Sequence, residues 1–177
     1  MMDIQHDYPY VVKPVPGQTG TITMKVTGQK SGEIKGDVPT SWKGATGQIQ
    51  ISYFQSSVIS PRDPQSGLPT GMRQHQGVEV VARNCQGIPR LWNVIFTNEN
   101  LTAVEIDFWS QHAAGQGATQ AIYYKCKLTN ANIQSMDHMT SEKDGTLFFR
   151  IRFTYQKIEY TWVAGGVMAE DDWEKAT

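Results

Sequence analysis

Short stretches in which apolar and polar residues alternate recur along the chain from Gly20 onward. This pattern limits the possible fold more than any other feature, because a period of two is typical of a strand that buries one face. The clearest stretches are residues 22–26, 49–53, 78–82 and 104–108. Clusters of Gly, Pro and Ser separate them, as expected for an all-β sandwich or barrel.

Two longer alternating stretches near the end of the chain change parity. In the first, the apolar residues fall on even numbers over 122–128 and on odd numbers over 131–133. In the second, they fall on odd numbers over 147–155 and on even numbers over 158–162. A parity change implies a β-bulge or a strand that passes from one buried face to another. Because such strands let a sheet turn and close, we predict a mainly β fold, a closed or nearly closed β-barrel of two packed antiparallel sheets.

One segment, about residues 88–97, is predicted to be helical. Its apolar residues follow the helical repeat: Ile88, Leu91, Trp92, Ile95 and Phe96. Pro89 suits the first turn of a helix, and Asn98 and Asn100 are plausible stop residues. This α-helix is expected to lie across the barrel wall or to cap one of its mouths.

Composition excludes several classes of protein. The chain has 177 residues, 16 Lys and Arg against 17 Asp and Glu, and a net charge of −1. Nucleic-acid binding normally needs a basic surface, so no nucleic-acid partner is expected, and low net charge permits self-association. No run approaches the roughly 20 apolar residues of a membrane helix, and the N-terminus lacks the pattern of a signal peptide.

Residues 1–19 are predicted to be a Pro-rich extension, and residues 20–177 a single domain.

Candidate chemical groups are scattered. The four histidines form no metal-ligand motif, and His75, Asp63 and Ser66 lack the local signature of a hydrolase triad, so His75 is read as a structural loop histidine. We therefore expect no catalytic, metal or cofactor site.

Residues 28–32 are predicted to be a hairpin connection rather than a phosphate loop, and residues 170–172 a solvated tail. Two cysteines, Cys85 and Cys126, are expected to be buried, reduced thiols.

The segment 56–76, SSVISPRDPQSGLPTGMRQHQ, is predicted to be a long extended loop. Loops longer than about 12–15 residues are uncommon in compact domains and are usually functional or disordered. Three prolines stiffen this one, and it carries side chains suited to contacts: Leu68, Met72, Arg73 and His75. The composition favours a stiffened arm that reaches onto a neighbouring molecule.

Residues 63–75, DPQSGLPTGMRQH, resemble the extended-loop motif of the haemolysin-coregulated protein (Hcp) family, the inner-tube proteins of type VI secretion. Further similar segments follow in the family's order: MKVTG at 24–28, GEIKG at 32–36, IPRL at 88–91, YQKIEYT at 155–161, and the tail with Gly165, Gly166 and DDW at 171–173. The resemblance spans about residues 21–173, nearly the whole chain.

The resemblance implies a non-enzymatic β-barrel that forms homohexameric rings, which stack into a hollow tube inside a contractile sheath. It also implies sheath, spike and baseplate proteins as partners, small effector proteins in the lumen, and no membrane insertion. Such a protein is made in the cytoplasm and secreted without a signal peptide through the type VI apparatus. By the same resemblance, the subunit or ring interface includes Pro64, Gly67, Leu68, Pro69, Gly71, Arg73 and His75.

Some features depart from the family pattern. Most members lack the extension 1–19, the turn at 28–32 is one residue longer than usual, and Asn84 and Ile88 replace the Asp and Ser of many members. Two alternatives stay open at this point. One is a tail-tube protein of a phage or phage-like contractile machine, and the other is a monomeric ligand-binding or enzymatic β-barrel, which would need a closed cavity with converging polar groups.

Overall fold

The computed structural model describes residues 20–40, 44–110 and 121–173, so the predicted extension 1–19 lies outside the described part of the chain. The elements are β1 (Ile22–Gly28), β2 (Gly32–Ile34), β3 (Ile49–Ile59), β4 (Gln74–Arg83), α1 (Ile88–Phe96), β5 (Leu101–Ser110), β6 (Ala121–Thr140), β7 (Leu147–Trp162) and β8 (Val167–Asp172). Each predicted alternating stretch forms a strand.

The strands form one antiparallel sheet that closes on itself. Its order is β1-β3-β4-β7-β6-β5, and β5 returns to pair with β1 from Ile22 opposite Phe108 to Gly28 opposite Leu101. β2 pairs with β1 and β8 pairs with β7 beside this ring. The predicted mainly β barrel is confirmed, and because β1 pairs with both β3 and β5, its antiparallel strands form one continuous sheet.

Large apolar side chains fill the inside of the ring. Phe149 and Phe153 of β7 are fully buried together with residues from every other strand of the ring, including Met24, Ile49, Val80, Ile106 and Leu128. The alternation in the sequence therefore corresponds to inward-facing and outward-facing positions. Burial of this interior is the main force that stabilises the barrel.

The predicted parity changes in β6 and β7 occur at the same level of the barrel. Asn130 lies at this level with φ +49°, and its side-chain amide donates a 2.7 Å hydrogen bond to the side-chain oxygen of Gln156. The flanking pairs are Thr129 with Lys157 and Ala131 with Tyr155. Since the register is unbroken here, both strands turn together and neither contains an extra residue. A separate register shift in β6 lies at residues 133–135.

The helix prediction is confirmed to within one residue. Pro89 is in the first turn, Ile88, Leu91 and Val94 are buried in the barrel core, and Thr97 is the C-cap. The helix packs against β6, where the ring of Trp92 lies 5.5 Å from that of His138. No helix in the described part of the chain is long and apolar enough to cross a membrane.

The connection between β3 and β4 is shorter than predicted. The expected loop 56–76 is wrong at both ends, because β3 continues to Ile59 and β4 begins at Gln74. Ser56 pairs with Val78 and Val58 with His75, so backbone pairing extends into residues whose polar side chains suggested a loop. The remaining connection, residues 60–73, is called the extended loop below.

Both cysteines are free thiols. Cys126 of β6 is buried in the core, and burial raises the pKa of its thiol to about 12. Cys85, before the helix, is half-buried, and burial raises its pKa as well. Burial therefore keeps both thiols protonated and poorly reactive, although the expectation of full burial holds only for Cys126.

Candidate assembly site: the extended loop and its attachment

The extended loop is held in shape by its own backbone. The Asp63 N–H donates to the Leu68 carbonyl at 2.9 Å, and the Gly67 N–H donates to the Asp63 carbonyl at 2.8 Å. Gly67 has φ +69°, a conformation that costs other residues energy. An isolated bridge between Arg62 and Pro69 closes the turn. The tip is therefore a small closed unit rather than a slack segment.

The Asp63 carboxylate stabilises the same turn. It accepts hydrogen bonds from the Ser66 hydroxyl and from the backbone N–H groups of Gln65 and Ser66. The Ser66 hydroxyl is the largest cause of the lowered pKa of Asp63. Because Ser66 is bonded to Asp63, and His75 has other partners, these three residues do not form the relay of a hydrolase triad.

The loop exposes apolar side chains to solvent. Leu68 is 64% exposed and Met72 is 63% exposed, and Pro64, Gly67, Pro69 and Gly71 are also exposed. Both side chains are therefore free of the barrel core and available for contact with another molecule.

The base of the loop is joined to the C-terminal strand by a cluster of polar side chains. The Arg73 guanidinium donates through Nε and Nη2 to the two carboxylate oxygens of Asp171 in β8. His75 Nε2 lies 2.7 Å from Asp171 Oδ2, and His75 Nδ1 lies 2.9 Å from the Tyr155 hydroxyl of β7. We call these four residues the clasp. The ring of Trp173 lies 5.2 Å from that of His75, whose side chain is only 3% exposed.

The pKa values of Arg73 and Asp171 are shifted in the directions that keep both groups ionised. The hydrogen bonds from Arg73, and after them the contact with His75, hold the pKa of Asp171 below its ordinary value. Asp171 in turn raises the pKa of Arg73, and burial raises that of Tyr155. At neutral pH the Arg73–Asp171 pair is therefore ionised and the Tyr155 phenol is neutral.

The clasp closes a gap between strands. β4 pairs with β7 from Val78 onward, and the later half of β7, from Lys157, pairs with β8 instead. Gly77 stands at this point with φ +83°, where a Cβ atom would lie 2.8 Å from the Phe153 carbonyl oxygen. Residues 74–76 therefore do not pair with β7. Side-chain contacts, rather than backbone hydrogen bonds, connect this part of the chain to β8.

A second carboxylate fixes the turn between β1 and β2. Glu99 is buried and accepts hydrogen bonds of 2.7 Å from the Lys30 N–H, the Ser31 N–H and the Ser31 hydroxyl. The bond from the Ser31 N–H is the largest cause of the lowered pKa of Glu99. A Cβ atom at Gly28 would lie 2.5 Å from this carboxylate. The predicted hairpin at residues 28–32 is confirmed, and Glu99 is a residue that the sequence analysis missed.

The structure divides the seven predicted interface residues into two groups. Five lie exposed on the extended loop: Pro64, Gly67, Leu68, Pro69 and Gly71. Arg73 and His75 lie at its base and contact β7 and β8 of the same chain. The prediction that His75 makes a structural hydrogen bond is confirmed, although the residue lies in β4 and not in a loop. The assignment of residues 170–172 to a solvated tail is wrong, since Asp171 belongs to a paired strand and binds Arg73. No local pattern in the sequence indicates that Asp171 pairs with Arg73, which lies 98 positions away.

A groove of about 470 Å³ borders the clasp and is lined by residues that include Gln76, Gln134, Arg152 and Trp173. Within residues 20–40, 44–110 and 121–173, no three His, Cys, Asp or Glu side chains are grouped so that they could hold a metal ion. The filled barrel, helix α1 and the exposed loop fixed at its base define the class by its fold: a closed, mainly β barrel.

Comparisons with known proteins place the chain within that class. A family described as "Type VI secretion system effector, Hcp" matches residues 23–162. The chain is 36% identical over 163 residues to the "Major exported protein" of Pseudomonas aeruginosa, covering 85% of this chain and 93% of the relative. The chain therefore belongs to the Hcp family of type VI secretion, whose members are non-enzymatic, structural secreted proteins.

Solved structures agree with the fold. The secreted protein Hcp3 from Pseudomonas aeruginosa superposes with a TM-score of 0.68 at 25% identity, covering 89% of this chain and all of that one (100%). A mutant form of Hcp1 from Escherichia coli EAEC 042 gives a TM-score of 0.76 at 19% identity, covering 88% of this chain and 99% of that one. The barrel with one helix is thus the Hcp fold.

Proposed function

We propose that this chain forms homohexameric rings that stack into the hollow tube of a type VI secretion system. Family membership gives the setting, and the observation that carries the proposal is the extended loop, which holds its own shape and presents Leu68 and Met72 to solvent. The loop residues Pro64, Gly67, Leu68, Pro69 and Gly71 would contact a neighbouring subunit or ring, with Arg73 and His75 at the edge of that contact.

A ring needs two different surfaces on each subunit, because head-to-tail contacts are heterologous. The extended loop supplies one. The hairpin between β7 and β8 offers another exposed apolar surface, on which Val167 is 65% and Met168 is 59% exposed, with Trp162 and Val163 beside them. Two separate apolar surfaces on one barrel support repeated head-to-tail contact rather than a single symmetric dimer.

The outward face of the barrel has balanced charges. Facing residues on successive strands alternate in sign, with Lys25 opposite Glu105, Glu105 opposite Lys127, and Lys127 opposite Glu159. Such rows stabilise a sheet and leave little net field. In a tube, a wall of this kind would let small effector proteins pass without electrostatic trapping.

The proposed function also implies where the protein is made, with which proteins it assembles and how it is exported. The chain would be synthesised in the cytoplasm, assemble with sheath, spike and baseplate proteins, and leave through the type VI apparatus with its effectors. The name of the Pseudomonas aeruginosa relative, a major exported protein, supports the last step.

The test is assembly of the purified protein, followed by negative-stain microscopy and size-exclusion chromatography. We expect six-fold rings for the natural sequence, and loss of rings or stacks after deletion of residues 67–74 or the substitution Arg73→Glu, with unchanged circular dichroism. Arg83→Glu, the same charge reversal at the far end of β4, is the control. Rings that persist unchanged in the deletion variant would overturn the role of the loop.

A further inference from the structure

We infer that Asp171 of β8 is a positioning residue for assembly. Through the clasp it fixes the direction of the extended loop on the isolated subunit, so that the loop meets its neighbour already in place. The effect on assembly rests on the proposed function, whereas the effect on the loop itself can be measured on the subunit alone.

The part of the β3–β4 hairpin that carries the loop has no third strand beside it in the described structure. β4 is paired with β7 only from Val78 onward, so Gln74 and His75 pair with the end of β3 alone. A two-stranded ribbon is marginally stable in water without further packing. Its direction relative to the barrel therefore depends on the contacts that join it to the body, and Arg73 and His75 make those contacts with Asp171.

The geometry of the clasp fixes the angle between the β3–β4 ribbon and β8 as well as the distance between them. A planar guanidinium that donates to both oxygens of a carboxylate fixes the relative orientation of the two groups, which a lysine ammonium cannot do. His75, the second residue of β4, adds a second link, since both of its ring nitrogens are bonded and Trp173 covers the ring. Two links, one at the last residue of the extended loop and one in β4, hold the ribbon against rotation.

The clasp residues lie on one chain and satisfy one another, so they do not need a neighbouring subunit to be ordered. A loop that is ordered before binding loses less conformational entropy when it binds. Breaking the clasp should therefore weaken assembly about tenfold, an amount expected when a few side chains must be ordered at the moment of contact. The barrel itself should be unaffected, because its core lies elsewhere.

The experiment compares Asp171→Asn with the matched control Glu170→Gln. Both substitutions remove one negative charge from β8, but Glu170 pairs with Lys157 of β7 and not with the loop. Amide hydrogen exchange on the subunit is measured in the ribbon that carries the loop, residues 58–59 and 74–75, and is called loop exchange below; the amides of Asp63 and Gly67, bonded within the turn, serve as an internal reference. We expect about tenfold faster loop exchange in Asp171→Asn only, unchanged exchange in the barrel, and rings that need about tenfold more protein.

Rescue separates positioning from general loosening. Arg73→Lys should behave like Asp171→Asn, although it keeps the charge, and the exchanged pair Arg73→Asp with Asp171→Arg should recover part of the loop protection that each single variant loses. If Asp171→Asn fails to fold, Arg73→Lys, at a partly exposed position, carries the same test.

The outcomes distinguish the two proposals. Loop exchange in Asp171→Asn equal to that of the natural sequence would overturn the inference, and so would faster exchange with unchanged assembly. If the natural sequence forms no rings, the proposed function fails, and the exchange data alone then decide whether the clasp orders the loop.

Discussion

The barrel and the extended loop are stabilised by different means. In the barrel, residues such as Phe153 and Ile106 are fully buried and the backbone ladder runs around the ring. In the loop, Leu68 and Met72 are exposed, and order comes from a few turn hydrogen bonds and one cluster of charged side chains. The fold and the proposed contact surface can therefore be changed separately.

The largest expected effect falls on the barrel. Phe153→Ala removes a fully buried ring from the core and should lower the free energy of unfolding by about 3–5 kcal/mol. Leu68→Ala, a truncation on the loop, should change it by less than about 0.5 kcal/mol. Urea unfolding followed by circular dichroism measures both. A comparable loss in the two variants would break the contrast between barrel and loop.

An intermediate effect is expected at Glu99. Glu99→Ala leaves the Lys30 and Ser31 amides without their acceptor and should cost about 2 kcal/mol, since hydrogen bonds to a charged group are among the stronger ones. Glu33→Ala, on the exposed face of β2, is the control. The same urea titration applies, and equal midpoints for the two variants would show that the buried carboxylate is not what holds the turn.

The smallest effect on global stability concerns pH. Arg73 and His75 lower the pKa of Asp171, so its ionised form stabilises the clasp. This contribution is complete above the ordinary value of 3.8 and is lost as the pH falls through the lower folded value. A partly exposed pair contributes about 1 kcal/mol or less, so the barrel should stay folded while the loop loosens.

Cleavage within the extended loop by pepsin measures this loosening. We expect the cleavage rate, corrected for the enzyme's own pH dependence, to rise below about pH 4 in the natural sequence and in Glu170→Gln. In Asp171→Asn it should already be high and the acid step should be smaller, with the remainder coming from Asp63, whose carboxylate holds the turn and whose pKa is also lowered. A step of undiminished size in Asp171→Asn would assign the acid effect to Asp63 or another group.

The same contrast explains what could be predicted from the sequence. Alternation and its parity changes reflect burial, so strands, closure and the helix at Ile88–Phe96 could be predicted. The end of β3 at Ile59 and the start of β4 at Gln74 could not, because the polar residues at 56–57 and 74–76 interrupt the alternation there. β8 was missed because its residues are mostly exposed and show no alternation of burial. The clasp and the Glu99 contact join residues far apart in sequence, and no local pattern marks such pairs.

The central claim is that this chain assembles through its extended loop. Negative-stain microscopy of the natural sequence and of the deletion of residues 67–74, purified alike and compared at equal concentration, tests it most directly. We expect six-fold rings from the first and folded single subunits from the second. Single subunits from the natural sequence at high concentration, or rings from the deletion variant, would contradict it.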